Sequence, residues 1–403
     1  MGKVLTDEKL IDLFLTRGVE AVYPTTELLR QKLMSGARIR VYQGFDPTGP
    51  YLHVGHAMGI RAMSILQKLG HEVIFLVGDF TARVGDPDKD KTRDFLTAEQ
   101  VEHNMNEWKK QAAQLIDFDG ENPVQFKHNF DWLSQLKLEN IIELMSMTTV
   151  QQMMERDLFA KRLQAKEPIQ LREFIYPLLQ GFDAVNMEVD LQMGGTDQTF
   201  NMLFGRDMVK RMLNKELFVR TNELMEAPDA RTMSKSKGNG INLGDTANDM
   251  YGKAMSYPDE LIFKALRLLT DVSLEDIAEM QTDMDSGKNP MTYKKIMSFE
   301  VVKVIKGKKS AEDAQKHFEN TVQHGQADEE NAEDTKVAGD MSIFEFLKNV
   351  TNGKESASQI KRMIEQGGVE LNGSKIIQPD IVTTFSAGDV VKFGKRKFYK
   401  ICE

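Results

Sequence analysis

Apolar and polar positions in the first part of the chain follow a strand, helix, strand order. A short apolar run, Ile39–Tyr42, leads into a Gly- and Pro-rich turn and then into an amphipathic pattern from about His53 to Leu69, which predicts a helix. The next run, His71–Gly78, is mostly apolar, which is typical of a strand buried on both faces. Such a βαβ unit is right-handed and its strands are parallel. The pattern therefore predicts an α/β fold with a Rossmann-like parallel sheet.

The pattern changes twice toward the C-terminal end. Residues 246–320 have apolar positions at helical spacing throughout and predict a helical domain. Residues 326–335 are acidic and contain no apolar residue other than alanine, so we expect a linker there. Beyond it, a short helix, an Asn372–Gly373 turn and further short strands predict a small α/β module. Such a module is typical of an auxiliary RNA-binding domain, with a generic protein-interaction module as the alternative.

The composition fits a globular protein of two or three domains. Of 403 residues, 41% are hydrophobic and 28% are charged. The formal net charge of −9 argues against nucleic-acid binding by the whole chain, although residues 341–403 have an excess of lysine and arginine. The one cysteine, Cys402, excludes internal disulfides and any cysteine-built metal site. The start of the chain lacks an apolar signal core, and no apolar run approaches about 18 residues, so a cytoplasmic protein is expected.

Two histidines lie three residues apart where the first predicted helix of the βαβ unit begins. The N–H groups of a first helical turn and the positive end of the helix dipole favour phosphate binding, and His53, His56 and Thr48 add side-chain donors there. Gly55 leaves one turn without a side chain, so a flat ring such as adenine can lie against the backbone. The alternative is a helix with ordinary surface or capping histidines. Further motifs along the chain favour nucleotide binding.

Polar residues follow the predicted strands, at the sheet edge where ligands bind in open parallel folds. Asp86 comes after the second strand and either accepts a hydrogen bond from a substrate ammonium or is a solvated turn residue ahead of a proline. Tyr176, Gln180 and Asp183 share one face of a predicted helix, which either lines a polar pocket or faces solvent. The sequence Gly194–Gln198 follows another strand and offers acceptors suited to ribose hydroxyls.

Two segments are rich in lysine and arginine. The segment at residues 89–93 is interpreted as a charged surface, with a mobile phosphate-facing loop as the alternative. In residues 223–240, Arg231, Lys235 and Lys237 stand among glycines and serines, which makes a loop that is hard to order without an anion. Closure on a polyphosphate would order this loop, and a plain solvated connection is the alternative.

Four motifs, in their order along the chain, resemble those of bacterial tyrosyl-tRNA synthetases, a family of class I aminoacyl-tRNA synthetases. They are Gly44–His56, similar to the HIGH signature, then Tyr176–Asp183, Gly194–Gln198 and Thr232–Ser236, the last similar to the KMSKS signature. The resemblance covers most of the chain, and the C-terminal module is similar to the RNA-binding domain of a ribosomal small-subunit protein. One position departs from the family pattern, because Thr232 replaces the first lysine of KMSKS. Lys237 or Arg231 is the expected substitute for that cation.

The resemblance implies roles for individual residues. For tyrosine, Tyr42 and Asp183 would contact the phenolic hydroxyl, and the ammonium and carboxylate side would be held by Asp86, Tyr176, Gln180 and Gln198. The implied ATP-binding residues are Gly44, Asp46, Gly55, Gly195, Asp197, Met233, Ser234, Lys235 and Ser236. The implied catalytic residues are Thr48, His53, His56 and Lys235. Among these, Gly55 would lie under the adenine, Gly195 and Asp197 would contact the ribose, and Lys235 would close on the pyrophosphate.

The implied reaction joins L-tyrosine to ATP, giving tyrosyl-adenylate and pyrophosphate, and then transfers tyrosine to the terminal adenosine of tRNA(Tyr). Mg²⁺ would accompany ATP, with no structural metal held by the protein. The expected assembly is a homodimer without membrane association. The implied domains are a Rossmann-like catalytic domain at 1–245 with a dimerisation section near 120–165, a helical tRNA-binding domain at 246–325, an acidic linker at 326–340 and the RNA-binding domain at 341–403.

Three other interpretations stay open at this point. The nearest is another class I synthetase, chiefly one for tryptophan. A second is a different adenylyl- or nucleotidyltransferase with a HIGH-type helix, which would not explain the C-terminal module. The third is a non-catalytic RNA-binding paralogue that keeps the fold, for which Thr232 is the one supporting residue.

Overall fold

The computed structural model describes residues 3–86, 96–154, 157–228, 240–323, 332–336, 340–351, 355–394 and 397–402. The chain forms two compact units, Met1–Ala311 and Glu312–Glu403. The first unit contains the predicted sheet and most of the predicted helical run, and the second contains the predicted C-terminal module. The division near residue 245 into catalytic and helical domains stays a prediction.

A six-stranded sheet forms the centre of the first unit. Its strands are β1 Val19–Tyr23, β2 Arg40–Phe45, β3 Glu72–Val77, β4 Gln125–His128, β5 Leu191–Gly195 and β6 Phe218–Asn222. They lie in the order β1-β6-β5-β2-β3-β4, and all neighbouring pairs are parallel except β1 with β6. The predicted α/β fold with a parallel sheet is therefore confirmed. The sequence pattern did not predict the antiparallel edge strand β1.

Helices cover the sheet and fill the rest of the first unit. Those up to the last strand are α1 Glu8–Thr16, α2 Thr26–Met34, α3 Val54–Lys68, α4 Thr81–Val84, α5 Ala98–Met105, α6 Trp108–Ala112, α7 Phe130–Leu133, α8 Leu138–Met145, α9 Val150–Met154, α10 Asp157–Gln164, α11 Leu171–Asn186 and α12 Thr199–Leu213. The helices after it are α13 Ala247–Met255, α14 Ile262–Leu269, α15 Leu274–Asp285 and α16 Pro290–Lys306, followed by α17 Lys308–Phe318, which begins in the first unit and ends in the second. The helical run predicted for 246–320 is confirmed.

The direction in which the strands are added reverses between β2 and β5. From β2 the chain runs outward through β3 to β4, and it then returns to β5 on the other side of β2 and continues to β6. In open parallel sheets, ligands bind at such a switch point, beyond the carboxyl ends of the strands. The Gly- and Pro-rich turn after β2 and the Gly195–Gln198 segment at the end of β5 both lie at this edge.

Helix α11 is held in place by a close contact with α12. A Cβ atom added at Gly181 would lie 3.2 Å from the Cα atom of Gly205, so the two helices cross through their glycines. On another side, α11 contacts α4, the short helix that follows β3. This packing turns the side chains of Tyr176 and Asp183 into the protein, where both are buried. The solvent-facing alternative is therefore wrong for Tyr176 and Asp183, while Gln180 on the same face is half-buried.

The second unit is a small α/β module. Its five-stranded sheet has the order β10-β9-β12-β13-β7, beside a two-stranded pair of β8 and β11. The elements are β7 Glu333–Lys336, β8 Met341–Ser342, α18 Ile343–Thr351, α19 Ala357–Glu365, β9 Val369–Leu371, β10 Ser374–Ile376, β11 Val382–Thr383, β12 Val390–Phe393 and β13 Lys397–Cys402. The β9–β10 turn has positive φ angles at Asn372 and Gly373, as its sequence predicts.

Part of the segment predicted as an acidic linker is a strand. Strand β7, within residues 326–340, pairs with β13 in parallel along the edge of the second sheet. The prediction of a linker is therefore wrong for these four residues, which form a strand. Their charged side chains do not prevent the pairing, because an edge strand is held by main-chain hydrogen bonds and leaves its side chains largely exposed.

Candidate active site

The turn between β2 and α3 ends in a pair of histidines whose rings are in close, tilted contact. His53 is the N-cap residue of α3, and its backbone N–H donates to Nδ1 of His56 at 3.0 Å. The two imidazole rings lie with their centroids 3.8 Å apart, and the His56 ring also makes an edge contact with Phe45. A Cβ atom at Gly55 would come within 3.0 Å of the His53 ring. The two histidines are thus brought together at the start of the predicted helix.

The start of α3 and the residue before its N-cap pair with the chain that follows residues 229–239, here called the cationic loop. The N–H of Val54 donates to the carbonyl of Ile241 at 2.9 Å, and the N–H of Leu243 donates to the carbonyl of Leu52 at 2.7 Å. Since Val54 uses its N–H in this way, the set of amide donors offered by the helix tip is smaller than the sequence predicts. The pairing nevertheless fixes where the chain emerges from the cationic loop.

Several residues of the predicted site lie outside the described residues. The cationic loop at 229–239 is among the segments not described, and so is 87–95. The site residues concerned are Arg231, Thr232, Met233, Ser234, Lys235, Ser236 and Lys237, and the segment interpreted as a charged surface, with Lys89, Lys91 and Arg93, also lies outside the described residues. Their predicted roles stay predictions.

Asp183 is buried and held by two N–H donors. Its side chain is 3% exposed, and it accepts hydrogen bonds from Trp132 Nε1 at 2.7 Å and from Asn129 Nδ2 at 3.1 Å, one at each carboxyl oxygen. Burial raises the pKa of Asp183 to about 8, against the lowering effect of the two donors. Tyr42 is 1% exposed, and its pKa is raised by burial and by the charge of Asp183. The two predicted phenol-binding residues therefore share one buried polar site.

A second group of side chains links the end of β3 to the turn after β2. The Thr81 hydroxyl donates to Oδ1 of Asp46 at 2.8 Å, and the Tyr176 hydroxyl donates to Oδ2 of the same carboxylate at 2.9 Å. Tyr176, which the resemblance assigns to the substrate ammonium, is thus bonded to an expected ATP-binding residue. The amide of Asn129 donates to the Thr81 hydroxyl at 3.0 Å and joins this group to Asp183.

Asp86 and Gln198 lie together, as their predicted shared role requires. The Gln198 Nε2 group donates to Oδ2 of Asp86 at 2.7 Å, and its Oε1 atom accepts from Nδ2 of the buried Asn201 at 3.1 Å. Asn201 thereby fixes the orientation of the Gln198 amide. Gln180 lies on the same helix as Asp183, and its backbone carbonyl is 3.5 Å from the Tyr42 hydroxyl.

The remaining predicted nucleotide contacts lie near the switch point. Gly44 is exposed at the end of β2, and Thr48 is half-buried in the turn that follows, where its N–H donates to the Asp46 carbonyl at 2.8 Å. Asp197 is exposed in the turn after β5, and its carboxylate lies over Gly195, which has no side chain to obstruct it. These residues flank the crevice at the carboxyl ends of β2 and β5.

Two residues of this site, Asn129 and Trp132, were missed by the analysis of the sequence. Asn129 directly follows β4, and its N–H donates to the carbonyl of Val77 at the end of β3 at 3.0 Å. The rule that strand ends deliver ligand-binding side chains, which identified Asp86, applies equally to this short strand. A search of every strand end would have found Asn129. Trp132 lies one turn further on, and the sequence carries no comparable signal for it.

Two classes of structure are not found in the part of the chain that is described. None of its helices is both long enough and apolar enough to cross a membrane. Nor do three or more histidine, cysteine, aspartate or glutamate side chains meet there in an arrangement that could hold a metal ion.

Comparison with known proteins identifies the class of protein to which this chain belongs. Residues 34–323 match the family model described as tRNA synthetases class I (W and Y). The chain also resembles a solved structure of a C-terminally truncated mitochondrial tyrosyl-tRNA synthetase from Aspergillus nidulans, with a TM-score of 0.65 at 22% identity over 77% of this chain and 93% of that one. The protein therefore belongs to the class I tRNA synthetases.

Closer relatives narrow the family. The chain is 38% identical over 397 residues to the tyrosine–tRNA ligase of Dehalococcoides mccartyi strain 195, covering 98% of both chains. It is 39% identical over 390 residues to the tyrosine–tRNA ligase of Haemophilus ducreyi, covering 96% of both. The chain is a member of the tyrosine–tRNA ligase family. The resemblance seen in the four motifs is confirmed.

The raised pKa of Asp183 predicts that stability depends on pH. This carboxyl group titrates at about 8 in the folded protein against the ordinary value of 3.8. Between these values the folded state keeps a proton that the unfolded chain has lost, so the free energy of unfolding falls as pH rises, by at most about 1.4 kcal/mol per unit. Asp183→Asn lacks this titration. Urea unfolding from pH 5 to pH 8 should show the variant gaining stability relative to the unaltered protein, and parallel pH profiles would contradict the expectation.

Proposed function

We propose that this chain carries out the tyrosine–tRNA ligase reaction with the residues of the switch-point crevice. L-Tyrosine and ATP form tyrosyl-adenylate and pyrophosphate, and tyrosine then passes to the terminal adenosine of tRNA(Tyr). The observation that carries the proposal is the buried carboxyl group of Asp183, with one N–H donor on each oxygen and Tyr42 beside it. This arrangement suits a ligand with a hydroxyl group at the end of an apolar ring.

The phenol subsite accounts for selection against phenylalanine. Each carboxyl oxygen of Asp183 accepts one protein hydrogen bond and keeps a lone pair for a substrate hydroxyl. When the substrate has no hydroxyl, Asp183 and Tyr42 remain buried without that partner. Sites of this kind reject the analogue that lacks the hydroxyl by roughly 10⁴ to 10⁵. No editing step is then needed.

The ammonium and carboxylate of tyrosine would bind at the opposite end of this subsite. Asp86 offers the negative charge for the ammonium, and its hydrogen bond with Gln198 supports a shared role. Tyr176, Gln180 and Asp183 lie on the same helix, α11, and their spacing places them on one face of it. A single rigid helix would in this way contact the substrate along its whole length.

ATP would lie across the tip of α3. Gly55 leaves room for the adenine, Gly195 and Asp197 would contact the ribose, and the turn that contains Gly44 and Asp46 would lie beside the nucleotide. Thr48 and His53 would donate to the γ-phosphate. The tilted ring contact between His56 and His53, and the hydrogen bond that His56 Nδ1 accepts from the His53 backbone N–H, support a role for His56 in holding the His53 ring.

The described chain that follows the cationic loop resumes beside the tip of α3. Ile241, directly after the loop and Gly240, accepts a hydrogen bond from the first residue of α3. Lys235 precedes Ile241 by six positions, a span of at most about 20 Å of extended chain. Lys235 is therefore within reach of a triphosphate at the helix tip, where Met233, Ser234 and Ser236 would complete the loop's contacts.

The chemistry needs no nucleophile from the protein. A carboxylate oxygen of tyrosine attacks the α-phosphorus of ATP, and the bond from that phosphorus to the pyrophosphate oxygen breaks. Catalysis then consists of alignment and of stabilising the charge that grows on the departing pyrophosphate, which suits Thr48, His53 and Lys235. Mg²⁺ enters as part of the MgATP substrate. In the second step a hydroxyl of the terminal adenosine attacks the tyrosyl carbonyl, and AMP leaves.

ATP–pyrophosphate exchange tests this function. The full chain, supplied separately with tyrosine, tryptophan and phenylalanine, should exchange label with tyrosine at saturating ATP and much more slowly with the other two. Exchange that depends on tryptophan instead would contradict the assignment of the substrate. Absence of any amino-acid-dependent exchange would favour a non-catalytic RNA-binding role.

The second unit would bind tRNA. Residues 341–403 have an excess of lysine and arginine over acidic residues, which suits contact with phosphates. Lys361 and Arg362 lie exposed on one helix, α19. A cytoplasmic location fits a partner of this kind and is part of the proposal.

The assembly would be a homodimer formed through α8 and its surroundings. Leu138, Ile142 and Met145 are 75%, 59% and 51% exposed, and their spacing places them on one face of α8. Three large exposed apolar side chains on one face are typical of an interaction surface. Met153, within the section near 120–165 that is expected to form the dimer, is buried and serves as core, so only part of that section is available for contact.

The replacement of Ile142 by aspartate tests this surface. A charge at the centre of an apolar interface is costly to bury, so we expect Ile142→Asp to shift the equilibrium from dimer to monomer by at least about tenfold in dissociation constant. Sedimentation equilibrium at micromolar protein measures the shift. Glu143→Ala, on the far side of the same helix, is the matched control. An unaltered protein that is monomeric, or a dimer that Ile142→Asp does not weaken, would contradict the proposal.

A further inference from the structure

One buried hydroxyl group connects the ends of three neighbouring strands. Thr81, in α4 just after β3, is 3% exposed. Its Oγ1 atom lies 2.8 Å from Oδ1 of Asp46, which follows β2, and 3.0 Å from Nδ2 of Asn129, which follows β4. Thr81 therefore lies between two side chains that belong to different parts of the site.

The direction of both hydrogen bonds follows from the chemistry of the partners. An ionised carboxylate only accepts, and an amide NH₂ group only donates. The single hydrogen of the Thr81 hydroxyl must therefore point to Asp46, and its oxygen must accept from Asn129. A hydroxyl fulfils both roles at once. Serine can replace threonine here, whereas valine, which has the same shape, can fulfil neither role.

Each partner of Thr81 leads to a different substrate subsite. Asn129 is fully buried and uses its other amide hydrogen for Oδ2 of Asp183, the proposed phenol acceptor. Its own Oδ1 atom accepts from the N–H of Phe80 at 2.9 Å, so the amide cannot flip without losing bonds. On the other side, Asp46 belongs to the turn that leads to His53 and also accepts from the Tyr176 hydroxyl.

We propose that the Thr81 hydroxyl is a positioning group shared by the tyrosine and nucleotide subsites. It holds the Asn129 amide against Asp183, and it holds the Asp46 carboxylate in the turn before α3. The inference rests on the proposed function, because the roles of Asp183 and Asp46 belong to it. Thr81 acts through these neighbours and is assigned no contact with the reacting atoms.

Loss of the hydroxyl removes one hydrogen bond from each of two neighbours. One hydrogen of the buried Asn129 amide loses its acceptor, which is costly, and the half-buried Asp46 carboxylate loses the bond that Thr81 donates to its Oδ1 atom. Movement of Asn129 loosens Asp183 and weakens the preference for tyrosine. Movement of Asp46 disturbs the turn that is expected to bind ATP. A single substitution is then expected to change two properties that belong to opposite ends of the site.

The test compares Thr81→Val with Thr81→Ser in the full chain by ATP–pyrophosphate exchange. For Thr81→Val we expect the tyrosine to phenylalanine ratio of kcat/KM to fall about tenfold and the KM for ATP to rise about tenfold, which corresponds to the loss of about one hydrogen bond at each subsite. For Thr81→Ser we expect both values to stay within about threefold of the unaltered protein. Thermal unfolding of each variant separates these effects from general loss of stability.

The outcomes distinguish this inference from the proposed function. If the unaltered chain lacks tyrosine-dependent exchange, the proposed function fails first. If it is active and Thr81→Val behaves like it, or Thr81→Ser is as impaired as Thr81→Val, the positioning role is overturned. A change in only one of the two properties overturns the shared role. Should Thr81→Val not fold, Thr81→Ala takes its place with the same expected and contradicting results.

Discussion

Replacing Asp183 by alanine is expected to lower the preference for tyrosine over phenylalanine from roughly 10⁴–10⁵ to about 10² or less. The reason is that the unaltered site leaves the carboxyl group without a substrate partner when phenylalanine binds, and the variant removes this penalty. Activity with tyrosine should fall strongly, while activity with phenylalanine should change little or rise. The ratio of kcat/KM values in ATP–pyrophosphate exchange measures the effect directly.

A matched control is available on the same side of the molecule. Asp131 is an exposed carboxylate on α7, one residue before Trp132, and Asp131→Asn should leave the ratio unchanged. Trp132→Phe removes one of the two donors to Asp183 and should give an intermediate ratio. An unchanged tyrosine to phenylalanine ratio in Asp183→Ala would show that the phenol is recognised elsewhere.

Replacing Lys235 by alanine is expected to slow the formation of tyrosyl-adenylate by about 10²–10³. Lys235 would contact the pyrophosphate mainly when negative charge grows on it, so the variant should lose rate and keep its affinity for tyrosine within about threefold. Rapid-mixing measurements of adenylate formation give the rate. Equilibrium dialysis with labelled tyrosine gives the affinity.

Thr232 stands where the family's KMSKS signature has its first lysine, so the effect of Lys235→Ala also shows how the loop works with one lysine fewer. With threonine in place of one lysine, Lys235 carries a larger share of the loop's charge, unless Arg231 or Lys237 supplies the missing cation. Lys210→Ala, an exposed lysine on α12, is the control and should affect neither quantity. Equal losses in rate and in tyrosine affinity for Lys235→Ala would contradict a role confined to the departing pyrophosphate.

The sequence predicted strands well where burial is continuous and the residues are apolar, whereas β6, which is buried throughout but contains arginine, threonine and asparagine, was missed. Strand β3 is buried from Val73 to Val77, and such a strand is readable because both faces are covered and the residues are apolar without interruption. Strand β1 was missed because it is a half-exposed edge strand. Strand β7 was missed because its residues are charged and its order depends on main-chain pairing with β13. To predict β1 or β7, one would have to know the distant strand with which it pairs.

The site was predicted as a set of residues more completely than as a set of contacts. The positions of Asp86 and Gln198 follow from the strand-end rule, and the structure joins them by a hydrogen bond. The bond between Tyr176 and Asp46 was not predicted, because the two residues belong to different motifs and meet only through the packing of α11.

The structure of the protein with tyrosinol and ATP bound together would test the central claim most directly, because tyrosinol lacks the carboxylate and cannot react. The account predicts the phenol oxygen within about 3 Å of the Asp183 carboxyl group, and the triphosphate between the tip of α3 and the side chain of Lys235. A phenol bound away from Tyr42 and Asp183, or a triphosphate that Lys235 does not approach, would contradict it.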